Sequence, residues 1–350
     1  MNFSFEKLRS IGVQKLGLGI LCVILALILI VMIFATAFIH DLVGKVSANG
    51  GDHVDGTLSS SELAGIIGQE TLPSDYTGPT VDPTDVTIPT IPNEVYDNPD
   101  VINIMLVGQD RKPGEGRQRS DSMILCSFNT KTHALSMISF LRDTYVSIPG
   151  FWSDKMNAAY AYGGMKTLTA TLATNFGVHL DGCVEVDFGG FTSIIDLLGG
   201  VDINLTQKEA DWMNDQHGYS LSAGMNRLNG DQALNYSRIR KLDMDAKRAE
   251  RQRKVINSII NAYKNQSLGN MLSLANEILD KGWIKTNLSG DDLLDYVKEL
   301  FPLLSDSKIS SHQIPINGTW EDVGALGNIV DLKVIVDMQA NRDLLKQLLD

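Results

Sequence analysis

The sequence predicts an α/β domain with a central sheet, carried behind one N-terminal membrane-spanning helix and a disordered stalk. Three observations carry this reading. Leu16 to Ile39 is a run of 24 residues without a charge. Residues 41–100 are acidic and rich in proline. Beyond residue 100, short apolar runs alternate with segments of helical periodicity, the pattern of strands and amphipathic helices that share one core.

The uncharged run is long enough for a bilayer, which needs roughly 20 apolar residues in a helix. A cleaved signal peptide has a shorter apolar core and ends in a small-x-small site, which Ala35-Thr36-Ala37 fits weakly. Lys7, Arg9 and Lys15 precede the run, while Asp41 follows it and Lys45 is the sole base from there to residue 100. The positive-inside rule therefore makes residues 1–15 a cytoplasmic tail, 16–39 a single span, and the remainder extracytoplasmic. Residues 40–99 read as a stalk. Eleven acids, one lysine, six of the ten prolines and two aromatics in residues 41–100 leave too little apolar surface to fold alone. Most of the net charge of −12 sits here, and no Asp-x-Asp-x-Asp-Gly calcium loop accompanies it.

The domain is expected over residues 100–350. Val101–Gly108 reads as a buried strand, followed by a Gly/Pro-rich loop through Lys112-Pro113-Gly114-Glu115-Gly116. Strands follow near 122–129, 135–141, 144–148 and 182–188, with helices near 165–176 and 190–198. A long helix over about 246–265 places Val255, Ile256, Ile259 and Ile260 at core-facing spacing. A helix over 291–304, a strand over 309–314 and a closing helix over 341–349 complete the reading. Cys126 and Cys183 fall in two strands outside the membrane, where buried thiols are favoured slightly over a disulfide.

Several chemistries are unsupported. The sequence has no Gly-x-Ser-x-Gly elbow and no Gly-Lys-Ser/Thr phosphate loop, and its six histidines form no zinc-like pair. What remains is carboxylate and arginine. Asp110 and Asp121 bracket the first loop, so neighbouring strands would bring both carboxylates to one sheet edge, a hard-oxygen arrangement suited to Mg²⁺. Arg111 and Arg119 flank them. Further on, Arg238, Arg240, Lys241, Lys247, Arg248, Arg251, Arg253 and Lys254 place eight bases within 17 residues, a local reversal of the chain's sign. Arg238 and Arg240 point the same way if extended, and Arg248, Arg251 and Gln252 share a face at a helix start. Guanidinium forks in that position suit a polyphosphate; the alternative is a salt-bridged helix surface.

Ordered segments carry a resemblance to the LytR-CpsA-Psr family. They are Asn103–Arg111, Arg119–Met123, Ser139–Gly150, Lys155–Gly164, Val186–Phe191, Leu198–Asp202, Leu228–Leu234 and Ser237–Arg240. Two positions depart from the usual pattern: Phe140-Leu141 stand where Ile-Pro is common, and Lys247 where Gly is common. The resemblance implies a three-layer α/β/α domain that moves a glycopolymer, such as wall teichoic acid, from an undecaprenyl pyrophosphate carrier to peptidoglycan. It implies Asp110 and Asp121 as Mg²⁺ ligands. It also implies Arg119, Arg142, Arg238, Arg240, Arg248 and Gln252 as the pyrophosphate clamp, with Lys155 a weaker member; Arg119, Arg142, Arg238 and Arg240 serve catalysis. Three rival readings use the same residues: a non-catalytic receptor for anionic glycopolymer or lipid phosphate, a lipid pyrophosphatase, and a nucleic-acid-binding regulator. An extracytoplasmic domain has no nucleic-acid partner, which sets the last aside.

Overall fold

The structure, a computed structural model, describes residues 80–81, 95–109, 111, 116–240, 242, 245–263, 277–278, 280–288, 308–326 and 329–350. The expected span over 16–39 and the expected helix over 291–304 lie outside them. Among the described residues no helix is long and apolar enough to cross a membrane.

A six-stranded mixed sheet forms the centre. Its strands are β2 (Val101–Gln109), β3 (Ser120–Asn129), β4 (Ala134–Phe140), β7 (Gly182–Asp187), β10 (Ile284–Thr286) and β11 (Lys308–Ile314), in the order β10-β7-β2-β3-β4-β11. The β2–β7 and β4–β11 pairs are parallel, while β2–β3, β3–β4 and β7–β10 are antiparallel. Side chains alternate across the pleat, so each strand feeds two cores. Ile102, Ile104, Ile124, Cys126 and Phe128 face one core, and Met105, Val107, Met123 and Leu125 face the other. Cys126 and Cys183 lie buried on opposite faces, so no disulfide joins them.

The first core is covered by α2 (Phe188–Leu197), α3 (Gln207–His217), α4 (Gly230–Ser237) and α5 (Asp245–Tyr263), with a hairpin of β8 (Val201–Leu205) and β9 (Gly224–Leu228). The second is covered by α1 (Met156–Phe176) and α6 (Met338–Leu349). Three layers result. Helix α1 starts nine residues before the expected 165, because Gly163 and Gly164 leave helical geometry and interrupt the periodicity (Gly164 has φ 67°). Likewise α6 starts at Met338, where Asp337 caps its N-terminus by accepting from the Ala340 N–H. The expected strand over 144–148 shrinks to β5 (Tyr145–Val146), paired with β6 (Asp154–Lys155).

A second sheet joins β1 (Thr80–Val81), β12 (Trp320–Leu326) and β13 (Ile329–Ile335). Thr80 and Val81 pair in parallel with Ala325 and Leu326, and the Tyr96 N–H donates to Gly177 O at 2.7 Å. Backbone paired with the domain thus begins inside the stretch read as stalk. The Lys333 N–H donates to Asp143 O at 2.8 Å and ties this sheet to the turn after β4. At Leu141, where the pattern of the resemblance has Pro, the N–H donates to Ile314 O at 2.8 Å, a bond that Pro would forgo.

Candidate active site

Strand direction assembles the site. Antiparallel β3 between β2 and β4, with β7 parallel to β2, brings the ends of β2, β4 and β7 and the start of β3 to one sheet edge. Gly108, Asp121, Arg142 and Asp187 emerge there and line a cavity of about 290 Å³. Its mouth also carries Arg238, Arg240, Arg248 and Gln252. Its depth is apolar, lined by Leu106, Ile124, Val184, Ile194, Val255 and Ile259 among others, between the sheet and helices α2 and α5. Most of the apolar lining belongs to the first core, where the cavity leaves a gap.

The expected clamp residues sort by environment. Arg142 Nη1 donates to Asp121 Oδ1 at 2.6 Å, and its Nε lies 3.3 Å from Asp143 Oδ2. Asp143 in turn meets Lys155 Nζ at 3.3 Å, so this carboxylate bridges two cations and orients Arg142. Arg248 and Gln252 stand four residues apart on α5 and so share a face. Arg248 is buried and its Nη2 lies 3.4 Å from Asp121 O; Gln252 accepts from Ser122 Oγ at 3.1 Å. Arg238 closes α4 in helical geometry rather than in the extended form expected, and stacks over the Phe188 ring at 4.3 Å. Arg240 is exposed at the rim.

Two expected residues stand behind the cavity wall. Arg119 donates to Asn157 Oδ1 at 3.2 Å and lies 3.7 Å from Asp154 Oδ2, on the α1 side. Lys155 is buried against Asp143. Asp110 lies outside the described residues, although β2 and β3 are antiparallel neighbours, as the two-carboxylate reading required. Among the described residues no group of three or more His, Cys, Asp or Glu is placed to hold a metal ion. Asp121, which shares the cavity edge with Asp187 and pairs with Arg142, offers a hard oxygen donor of the kind Mg²⁺ takes, since that ion is bound through one or two carboxylates and completes its shell with water and phosphate oxygens.

Four other bases of the segment pair elsewhere, and Lys241 lies outside the described residues. Arg251 is buried and donates to Glu209 Oε1 at 2.7 Å, so it does not share the cavity face with Arg248. Arg253 donates to Ser139 Oγ at 2.6 Å, while Lys247 and Lys254 pair with Glu250 on the surface. Sequence reasoning missed Asp187, Ser122 and Phe188 as site residues. Asp187 caps α2 through the Gly190 N–H and pairs with Arg111 at 2.8 Å. Burial pushes its carboxyl up, but those two donors outweigh it and hold it below the usual range. One negative group therefore persists among the cations. The signal was present in Asp187-Phe188-Gly189-Gly190, an N-cap ahead of an apolar helix.

A cavity with an apolar depth and a mouth of guanidinium forks suits an amphiphile with an anionic head. The LytR_cpsA_psr family model matches residues 76–342 of this chain. The chain belongs to the LytR-CpsA-Psr family. Curated relatives include proteins named polyisoprenyl-teichoic acid–peptidoglycan teichoic acid transferase TagU. That of Bacillus licheniformis is 35% identical over 229 residues, covering 64% of this chain and 71% of the relative. That of Oceanobacillus iheyensis is 34% identical over 241 residues, covering 65% and 72%. Among solved structures of the family, TagT bound to LIIa-WTA superposes with a TM-score of 0.58 at 28% identity, covering 75% of this chain and 95% of that one. TagT with bound octaprenyl pyrophosphate lipid gives 0.55 at 26%, covering 75% and 94%.

Proposed function

We propose that this family member is a membrane-anchored phosphotransferase that moves a glycopolymer from a polyprenyl pyrophosphate carrier to peptidoglycan outside the cell membrane. The observation that carries the reading is the cavity itself, whose depth is aliphatic and whose mouth holds Arg142, Arg238, Arg240 and Arg248. The polyprenyl tail would lie between sheet and α5, and the pyrophosphate among the guanidinium groups. Relatives named as teichoic acid transferases, and a family structure holding octaprenyl pyrophosphate, support the same assignment. The uncharged 16–39 run supplies the anchor.

In this mechanism a hydroxyl of the acceptor sugar attacks the glycopolymer-bearing phosphorus. A new P–O bond forms as the pyrophosphate bridge breaks; polyprenyl phosphate leaves and the hydroxyl proton is released. The chain's own residues do their work by position and charge. Arg142, fixed by Asp121 and Asp143, and Arg248, fixed on α5, present donors to phosphate oxygens where charge builds up. Asp110 and Asp121 would hold Mg²⁺, which when bound neutralises pyrophosphate charge.

The cation assignment has its own test in a transfer assay run with chelator and with restored Mg²⁺. Wild-type turnover is expected to fall by at least about tenfold with chelator and to recover with Mg²⁺, and Asp121→Asn to stay low throughout. Turnover indifferent to chelator sinks the Mg²⁺ assignment and leaves the transfer reading standing.

A further inference from the structure

Phe151 and Trp152 are adjacent, aromatic and exposed, at 36% and 46% of their surface. They sit at the tip of the β5–β6 loop, which turns through Gly150 at φ +83° with the Phe151 N–H donating to Ile148 O. The rings are held in place. Phe151 and Trp152 each pack on Tyr162 of α1, with centroids 5.1 and 5.2 Å away, and on one another at 6.2 Å. Tyr162 is itself anchored by donating its hydroxyl to the buried Asp154. Its pKa is pushed up by burial and by that carboxylate, so the hydroxyl keeps its proton. Ser153, next in the chain to Trp152, shares a hydrogen bond with Tyr145, and both residues are half-buried.

The platform is coupled to the cavity from the other side. Val146, Ile148 and Tyr162 belong to the core under α1, whereas the aliphatic cavity opens in the core under α2 and α5. The loop runs directly into Asp154 and Lys155. Asp154 meets Arg119, and Lys155 holds Asp143, whose other oxygen holds Arg142 in the cavity wall. The loop is thus two ion pairs from the mouth.

We propose that Phe151 and Trp152, backed by the buried Tyr162, form a stacking platform for the sugar rings of the acceptor glycan, a proposal that rests on the transfer reading above. The C–H faces of pyranose rings carry partial positive charge and lie flat on aromatic faces, whose quadrupole is negative. Exposed rings braced against one another and against Tyr162 meet the apolar half of that chemistry, and the half-buried Ser153 follows Trp152 directly in the chain. A bilayer surface is the other occupant that exposed Phe and Trp suit, but such surfaces carry Lys and Arg beside the aromatics. Residues 147–153 contain neither. Lys155 and Arg119, which follow and adjoin the loop, point inward to Asp143 and Asp154. Donor from one face and acceptor from the other would meet at Arg142.

The test uses the full chain in detergent with soluble peptidoglycan glycan strands as probe, comparing wild type, Trp152→Ala, Trp152→Phe and Phe151→Ala. Direct binding is measured by calorimetry, and transfer by the dependence of rate on glycan concentration. Trp152→Ala is expected to weaken glycan binding and raise KM for the glycan by about tenfold, the scale of a truncated aromatic anchor. Trp152→Phe should recover most of this, while affinity for the polyprenyl pyrophosphate donor and the melting temperature stay at wild-type values. Glycan binding unchanged in both alanine variants overturns the proposal. So does loss of binding to neutral or anionic phosphatidyl vesicles with glycan affinity intact, which assigns the platform to the membrane. Glycan binding that depends on Trp152 in a chain that transfers nothing upholds the platform and rejects the transfer reading.

Discussion

Arg248, Arg251 and Arg253 lie within six residues of one helix and meet three different environments. Arg248 faces the cavity, Arg251 is paired with the buried Glu209, and Arg253 donates to Ser139 on the sheet. A phosphate oxygen bound to a guanidinium is a charge-assisted contact, so Arg248→Ala is expected to weaken donor binding by about 1.5–3 kcal/mol. Lys254→Ala, which removes only an exposed pair with Glu250, should leave it unchanged. Equal effects in a lipid-binding titration would return the arginines to a general basic surface. Glu209 supplies a stability test. Burial pushes its carboxyl up, but Thr206 and Arg251 outweigh that and hold it below the ordinary range. A folded pKa below the unfolded one adds stability that is complete above about pH 4.3 and is lost as pH falls through the folded value. Glu209→Gln leaves Arg251 buried without its counter-charge and should cost about 3 kcal/mol near pH 7. Urea melts at neutral and acid pH should show the gap between the two proteins closing below about pH 4.

Close approach, rather than propensity, places the helix that shapes the cavity. A Cβ at Gly190, in the first turn of α2, would sit 2.2 Å from Trp283 O, and one at Gly230 of α4 the same distance from Thr192 O. Gly190→Ala must therefore push α2 away from the β10 segment, at a cost of about 1–3 kcal/mol and with looser lipid binding through Ile194. At Gly189 an added Cβ meets Asp187 Oδ1 at 3.5 Å, an ordinary contact, so Gly189→Ala should stay within about 1 kcal/mol of wild type. Thermal melts of the pair check this, and similar losses in both would refute the close-packing account. Strands with continuous buried runs and the helix with clear core-facing spacing were legible: β2, β3, β4, β7 and α5 sit within a few residues of their expected bounds. Those missed had local signals of another kind. The Thr206/Glu209 and Asn229/Gln232 capping boxes start α3 and α4, and Val201–Leu205 alternates buried and exposed. Asp121 and the arginines could be singled out by type and spacing. Which arginine reaches the cavity depends on Glu209 and Ser139, partners brought in by tertiary folding and invisible to local pattern.

At the scale of the whole molecule, the mixed sheet divides two tasks. Its α2/α5 face keeps a gap lined by aliphatic side chains, and its α1 face carries the exposed rings. The strand ends between them gather Asp121, Arg142 and Asp187. On the proposed anchoring by residues 16–39, the acidic stretch ahead of β1 (Thr80–Val81) would set how far this edge reaches from the membrane. On the proposed function the cavity presents a lipid-linked glycopolymer for transfer to the wall, and a single transfer assay tests this directly. Purified full chain is incubated with polyprenyl pyrophosphate carrying a labelled glycopolymer, with and without peptidoglycan, and the label on sedimented peptidoglycan is counted. Wall-bound label is expected to require peptidoglycan and to drop by at least about tenfold in Arg240→Ala. Label released to water at the same rate with or without peptidoglycan, and none on the wall, would contradict it.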